Sequence, residues 1–283
     1  MFGSYGVWSK LIGSDFGVFF QGWSRAFLIA LLLFPFLLFT RQIVRIKRED
    51  WGWMLVFLIF TSLTQAPIFY AFTHMDIGSA TLLFFVSFLL TMYAVGIFFL
   101  GERLNTVKAV SFLLALSGLY LVFSFSLAVF ALLAALMAVL NGIASGGEVS
   151  FSKKLTGQYS ALYLSWMGWV AVAVSNAFVS FWLGEAQLIP SFDIVWFYWA
   201  AYAVASIIGF WAVLEGLKYV EAGIGGLLGL LEVVFSIAFG ILIFSEVLSP
   251  KIVAGACLIL AAAALPHLYE LFDFKRRSTT LAS

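Results

Sequence analysis

Acidic side chains set inside long apolar runs are the residues of this sequence with the most chemical potential. Glu232 stands about midway along the run 222–244. Gly225, Gly229, Glu232, Ser236 and Gly240 recur every three or four residues, which puts them on one helix face. The small residues on that face permit close approach of a neighbouring helix. A carboxylate among them either faces a cavity, where it binds a substrate amine or carries a proton, or ties neighbouring helices together by hydrogen bonds. Glu148 belongs to a second polar stripe, Asn141, Ser145, Glu148 and Ser152. If its helix ends near Phe151, Glu148 reaches the interface and is solvated beside Lys153; if not, it is a second intramembrane acid. Arg25 lies near one end of the run 16–40. It can snorkel to water, pair with a carboxylate or meet an anionic group. Gln65, one turn after Thr61, is a neutral polar site, and Pro67 behind it kinks the helix.

Among the aromatic residues, Tyr70, Trp166, Tyr202 and Trp211 are candidates to line a cavity, and Tyr202, Ser206 and Gly209 share a face. Trp51, Trp53, Trp196 and Trp199 sit near run ends, where an interfacial belt accounts for them. His74 and Asp76 fall at a turn. Glu102 in "GERLN" and Glu246 in "SEVLS" repeat between the two halves of the chain, which favours helix capping or an interhelix contact.

Enzyme chemistry has little to work with. The sequence holds no H-E-x-x-H, G-x-S-x-G or Walker loop. His74 and His267 are the only histidines and Cys257 the only cysteine, so a histidine-rich metal site and an intramolecular disulfide are excluded. The expectation is a protein that is not an enzyme and needs no cofactor or metal.

The elements that must position these residues follow from composition. Of 283 residues, 64% are hydrophobic and 10% charged. A soluble domain runs near 45–50% and 25%, so this chain belongs in a bilayer. A net charge of +1 excludes nucleic-acid binding driven by bulk electrostatics. Apolar runs cover 16–40, 51–72, 77–100, 106–123, 127–151, 161–183, 195–215, 222–244 and 250–268, after a short, interrupted opening piece. They are continuous rather than alternating, which indicates helices and not a membrane barrel. Together they predict an all-α integral membrane protein of ten transmembrane helices.

Twelve of the 15 Lys and Arg fall in one set of connections: Arg41, Arg45, Lys47, Arg48, Arg103, Lys108, Lys153, Lys154, Lys218, Lys275, Arg276 and Arg277. The positive-inside rule places that set in the cytoplasm, with both termini, in the cell membrane. The connection 184–194 carries Glu185 and Asp193 and no cation, as an outward loop should.

A shift of 144 residues superimposes the two halves. Ala94, Gly96, Ile97, Glu102 and Leu104 fall on Ala238, Gly240, Ile241, Glu246 and Leu248; Lys10, Leu11 and Gly13 fall on Lys154, Leu155 and Gly157. Five helices per half make the repeats inverted, the usual construction of secondary transporters. The same shift leaves the first helix truncated, with no counterpart for 132–144. The expectation is that the true start lies upstream or that the first helix is a stub.

The run "LLFFVSFLLTMYAVGIFFLGERLNTVKAVSFLLALSGLYLVF" resembles the helix 4–5 signature of the EamA branch of the drug/metabolite transporter superfamily. "GLLGLLEVVFSIAFGILIFSEVLSPKIVAGACLILAAAA" resembles the matching helix 9–10 signature. Arg25 in "QGWSRAFLIALLL" is similar to an arginine common in the family's second helix, and "KYVEAGIGGLL" to its link into helix 9. Phe88 and Val233 depart from it, standing where many members carry proline. The resemblance implies two five-helix repeats, 1–123 and 127–269, with a cytoplasmic tail 270–283. It also implies a secondary transporter, an exporter of amino-acid-like, amine or purine solutes by alternating access, with Glu232 and Glu148 as candidates to carry a coupling proton. A receptor or scaffold without flux, or an uncoupled channel, is the competing expectation. Candidate contacts with substrate or coupling ion are Glu232, Glu148, Arg25, Gln65, Asn141, Tyr202 and Trp166. A monomer suffices, because one chain holds both halves.

Overall fold

The computed structural model describes residues 8, 11–12, 16–75, 77–122, 132–244 and 249–281. Lys10, Asp76, Glu246 and most of the opening piece lie outside the described residues. Eleven α-helices follow one another: α1 (Val18–Phe39), α2 (Trp51–Ser62), α3 (Ala66–His74), α4 (Ile77–Phe99), α5 (Thr106–Val122), α6 (Leu132–Leu155), α7 (Ala161–Trp182), α8 (Ile194–Gly216), α9 (Ala222–Gly229), α10 (Leu231–Phe244) and α11 (Pro250–Leu281). Among the described residues there is no strand. Helices satisfy their own backbone groups, which is what a hydrocarbon solvent demands.

Seven spans are long and apolar enough to cross a membrane, and 106–122 and 250–266 are shorter apolar helices. That makes nine apolar segments among the described residues, where ten are expected for the chain. Two of the nine are broken. The run 51–72 divides into α2 and α3 around Leu63–Gln65, and the run 222–244 divides into α9 and α10 at Leu230. Two others outrun their expected ends. α6 continues to Leu155, so Glu148 lies two turns inside it, and α11 continues to Leu281, through residues expected to be tail.

The 144-residue shift is visible in the packing. It carries 18–39 onto 162–183 and 106–122 onto 250–266, which are α7 and the start of α11. Each helix packs tightly on its own repeat mate, α1 on α7 and α5 on α11. Both pairs are antiparallel. The start of α1 meets Glu185, just past the end of α7. Gly118, late in α5, meets Gly255, early in α11. The repeats are therefore inverted. The α5–α11 crossing depends on those glycines: a Cβ on Gly118 would stand 2.8 Å from the Gly255 carbonyl, and one on Gly255 2.7 Å from the Gly118 carbonyl. The third close pair, α4 on α6, crosses the repeat boundary, and Gly142 and Gly146 admit α4 backbone in the same way.

Candidate functional site

The site begins at the break between α2 and α3. Three hydroxyls turn back on the end of α2: Thr61 donates to the Phe57 carbonyl (2.9 Å), Ser62 to Leu58 (2.7 Å) and Thr64 to Thr61 (2.8 Å). Such bonds compete with the helix ladder. Pro67, in the first turn of α3, lacks the N–H that would continue it. The freed carbonyls find donors on other helices. Asn141 of α6 donates Nδ2 to the Leu63 carbonyl (3.3 Å), and Ser175 of α7 donates to Ser62 (3.4 Å). Irregular backbone at membrane depth persists only inside protein or beside a water-filled cavity, so the break marks a polar interior.

Gln65 stands at this break and accepts from Arg25 Nη2 at 2.8 Å. The Arg25 guanidinium also lies 3.9 Å from the centre of the Tyr202 ring on α8. Arg25 is only 1% exposed, and it does not snorkel. Its Nε and Nη1 have no hydrogen-bond partner among the described residues. Glu232 comes from the second break, in the first turn of α10, where the helix dipole favours an anion. Gln65 thus stands at one interruption and Glu232 at the other, one in each repeat.

Glu148 and Asn141 occupy the α6 side. Glu148 is buried and faces Thr61, so it is an intramembrane acid rather than a solvated neighbour of Lys153. Asn141 is 1% exposed and engaged with the break. Trp166 stands apart from both groups. Its Nε1 donates to the Ala30 carbonyl (3.1 Å) and its ring stacks on Phe34 and Tyr163, at the α1–α7 seam. Trp211 is exposed on the apolar surface, and Tyr70 stacks on His74 with 4.0 Å between ring centres. Trp199, expected in an interfacial belt, is buried one turn before Tyr202 on α8. A place near a helix end does not distinguish a lipid-facing ring from an inward one.

Two further carboxylates act across the repeats, one at each end of the molecule. At the basic end, Glu102 accepts from the first N–H groups of α9, Ala222 at 2.5 Å and Gly223 at 3.2 Å. Lys153 bridges Glu102 (3.0 Å) and the Val220 carbonyl (2.7 Å). Lys108 pairs with Glu221 and donates to the Arg103 carbonyl (2.8 Å). Nearby, Tyr159 donates to Asp50 (2.8 Å) and accepts from the Lys47 amide (3.0 Å). Burial holds the Tyr159 phenol above its ordinary range and Asp50 adds to it, although the Lys47 amide opposes them. At the opposite end, Glu185 accepts from the first N–H groups of α1, Phe19 at 3.1 Å and Phe20 at 2.6 Å. Ser180 donates to the same carboxylate (2.9 Å), and Trp23 donates Nε1 to Gln187 beside it (3.1 Å).

Each carboxylate satisfies two orphan donors at the positive end of a helix. Each also follows a glycine in the left-handed conformation, Gly101 at φ 71° and Gly184 at φ 68°. The tripeptide Leu–Gly–Glu closes α4 and α7 alike. Glu102 ends α4 and caps α9, the segment the shift places on the start of α4; Glu185 ends α7 and caps α1, its repeat mate. The expected capping or interhelix role of Glu102 is met, and by both means at once. Glu185 was legible only as part of an acidic loop, and the recurrence of Leu–Gly–Glu is the signal that would have found it.

No group of three His, Cys, Asp or Glu is placed to hold a metal among the described residues. The guanidinium, amide, phenol and carboxylates instead suit a small polar organic molecule.

No curated protein matches this sequence. Twenty-eight chains of solved structure do. One crystal structure superposes with a TM-score of 0.78 at 17% identity, covering 95% of this chain and 93% of its own, a likeness of fold. The profile described as the EamA-like transporter family matches residues 1–124 and 132–266, one block in each half.

Proposed function

The chain belongs to the EamA-like transporter family, and from that premise we propose that it is a secondary transporter of small organic metabolites working by alternating access. The observation that carries this reading is the buried polar group at the first helix break, where Arg25 meets Gln65 and Tyr202, with Glu232 at the second break in the other repeat. Inverted-repeat transporters hold substrate at such breaks. Glu232 lies ten residues into the α9–α10 segment, about 15 Å along it, close to the middle of a hydrocarbon core of about 30 Å. In this reading Glu232 receives an amine or a coupling proton, Glu148 serves a solute or proton nearer the basic end, and Gln65 and Asn141 supply neutral hydrogen bonds. Trp166 is a remote support through α1 and α7. Export across the cell membrane follows, with the basic end and both termini cytoplasmic.

The two cross-repeat caps give the alternation a physical form. The Glu102 cap holds the basic end together and the Glu185 cap the opposite end; both are made in this structure, and Arg25 and Glu148 are shut from solvent. Opening either end requires its carboxylate to release two helix N–H groups to water. In this reading an ion or solute gradient supplies the work.

The test is efflux from proteoliposomes loaded with a mixture of amino acids, purines and amines, read by mass spectrometry with and without an imposed pH gradient. Selective loss of one class supports the proposal, and a response to the gradient assigns proton coupling. Retention of every solute by folded, inserted protein at all gradients contradicts export of these classes.

A further inference from the structure

We propose that Arg25 is the receptor for the carboxylate of an organic solute, so that the substrate class is carboxylate-bearing rather than purely cationic. The inference deepens the transport reading and rests on it for the word substrate, but not for the binding event.

Arg25 is almost completely buried, yet nothing among the described residues forms a salt bridge with it. It donates Nη2 to a neutral amide, Gln65 Oε1. Tyr202 covers one face of the guanidinium as an aromatic surface, which attracts a cation without neutralising it. Nε and Nη1 have no acceptor among the described residues. A guanidinium does not give up its proton, so it cannot escape the cost of burial by becoming neutral. A buried cation held this way is completed by an anion.

The neighbourhood extends the same demand. Trp199 lies one turn from Tyr202 on α8, and its buried indole Nε1–H has no hydrogen-bond partner among the described residues. It is a donor, and a carboxylate has only acceptors to offer it. Arg25 stands seven residues, about 10 Å, inside α1 from the Glu185 end. Glu232, about 15 Å in from the basic end, lies deeper. The cation and the acid are thus separated along the membrane normal. A solute carrying both a carboxylate and an amine fits lengthwise, its carboxylate toward Arg25 and its amine toward Glu232. Metabolites with a carboxylate alone fill only the Arg25 part.

The test is equilibrium binding to purified full-length protein in detergent, with three matched probes: leucine, isopentylamine (its decarboxylated form) and 4-methylpentanoate (the acid without the amine). Tryptophan fluorescence is a suitable readout, since Trp199 lies near the proposed site. Leucine and 4-methylpentanoate are expected to bind at least about 10-fold more tightly than isopentylamine, as a charge-assisted bond to a buried guanidinium would give. Arg25→Lys should weaken the acids about 10-fold and Arg25→Gln abolish their binding, with isopentylamine unaffected. If Arg25→Gln does not fold, the comparison of acids with amine in the unmodified protein still decides. Equal binding of acid and amine, acid binding unchanged in Arg25→Gln, or no binding of either acid at millimolar concentration overturns the inference. Efflux of amines or purines alone from loaded vesicles would also overturn it while leaving the transport reading intact.

Discussion

Glu232 is the residue on which the transport chemistry turns. It stands in the first turn of α10, at the second helix break. Glu232→Gln keeps the shape and removes the charge. Flux is expected to fall at least about 10-fold, consistent with losing one charged partner in a low-dielectric site, while detergent elution and membrane insertion stay native. Glu148→Gln should lower flux with equally intact folding, because Thr61 remains to hydrogen-bond the amide. Unchanged flux in a correctly inserted Glu232→Gln protein would remove the residue from the mechanism. Both acids were legible in the sequence because a charge inside an apolar run stands out. The environment of Arg25 was not. Seven residues from a helix start, snorkelling is the ordinary outcome, and only the packing of Gln65 and Tyr202 around it shows that the guanidinium turns inward.

At the scale of elements, the two Leu–Gly–Glu caps and the glycine crossings carry the specificity of assembly. Glu102 holds two α9 N–H groups and the Lys153 ammonium at once. Glu102→Ala strands all three, and thermal unfolding in detergent should show a loss of about 1–3 kcal/mol. Glu185→Ala should cost about as much at the other end of the molecule, and if the caps are gates each variant also changes flux. A stability equal to the unmodified protein in both variants would mean that water replaces the carboxylates without cost. Gly118→Leu is a sharper perturbation, since a Cβ there already meets the Gly255 carbonyl. It should separate α5 from α11 and sharply reduce the yield of monodisperse protein; normal yield would contradict the packing. Helix positions were readable from apolar runs, and Pro67 signalled the first break. The second break at Leu230 carries no proline, and its glycines alone fit a continuous helix equally well. Partner choice between helices was not readable, because apolar faces look alike to a chain in lipid.

The whole molecule is two interleaved halves rather than two neighbouring ones. α1 packs on α7 and α5 on α11, each with its own mate, and the caps join the halves at both ends. The repeat was visible as a constant shift of 144 residues, and with it the inversion. The breaks do not obey it: the first half interrupts the helix at 63–65 and the second at 230, whose equivalents lie inside unbroken α8 and α4. That asymmetry puts a neutral amide at one break and a carboxylate at the other. A structure of this kind should carry solute by turns, never offering an open path. Counterflow tests that claim most directly. Vesicles preloaded with a millimolar unlabelled solute of the class found to leave in the efflux panel are diluted into a trace of the same solute, labelled. An alternating-access carrier must accumulate the label transiently above its external concentration, and the rate must saturate. Label that only equilibrates, at a rate linear in concentration, would contradict alternating access and indicate a channel.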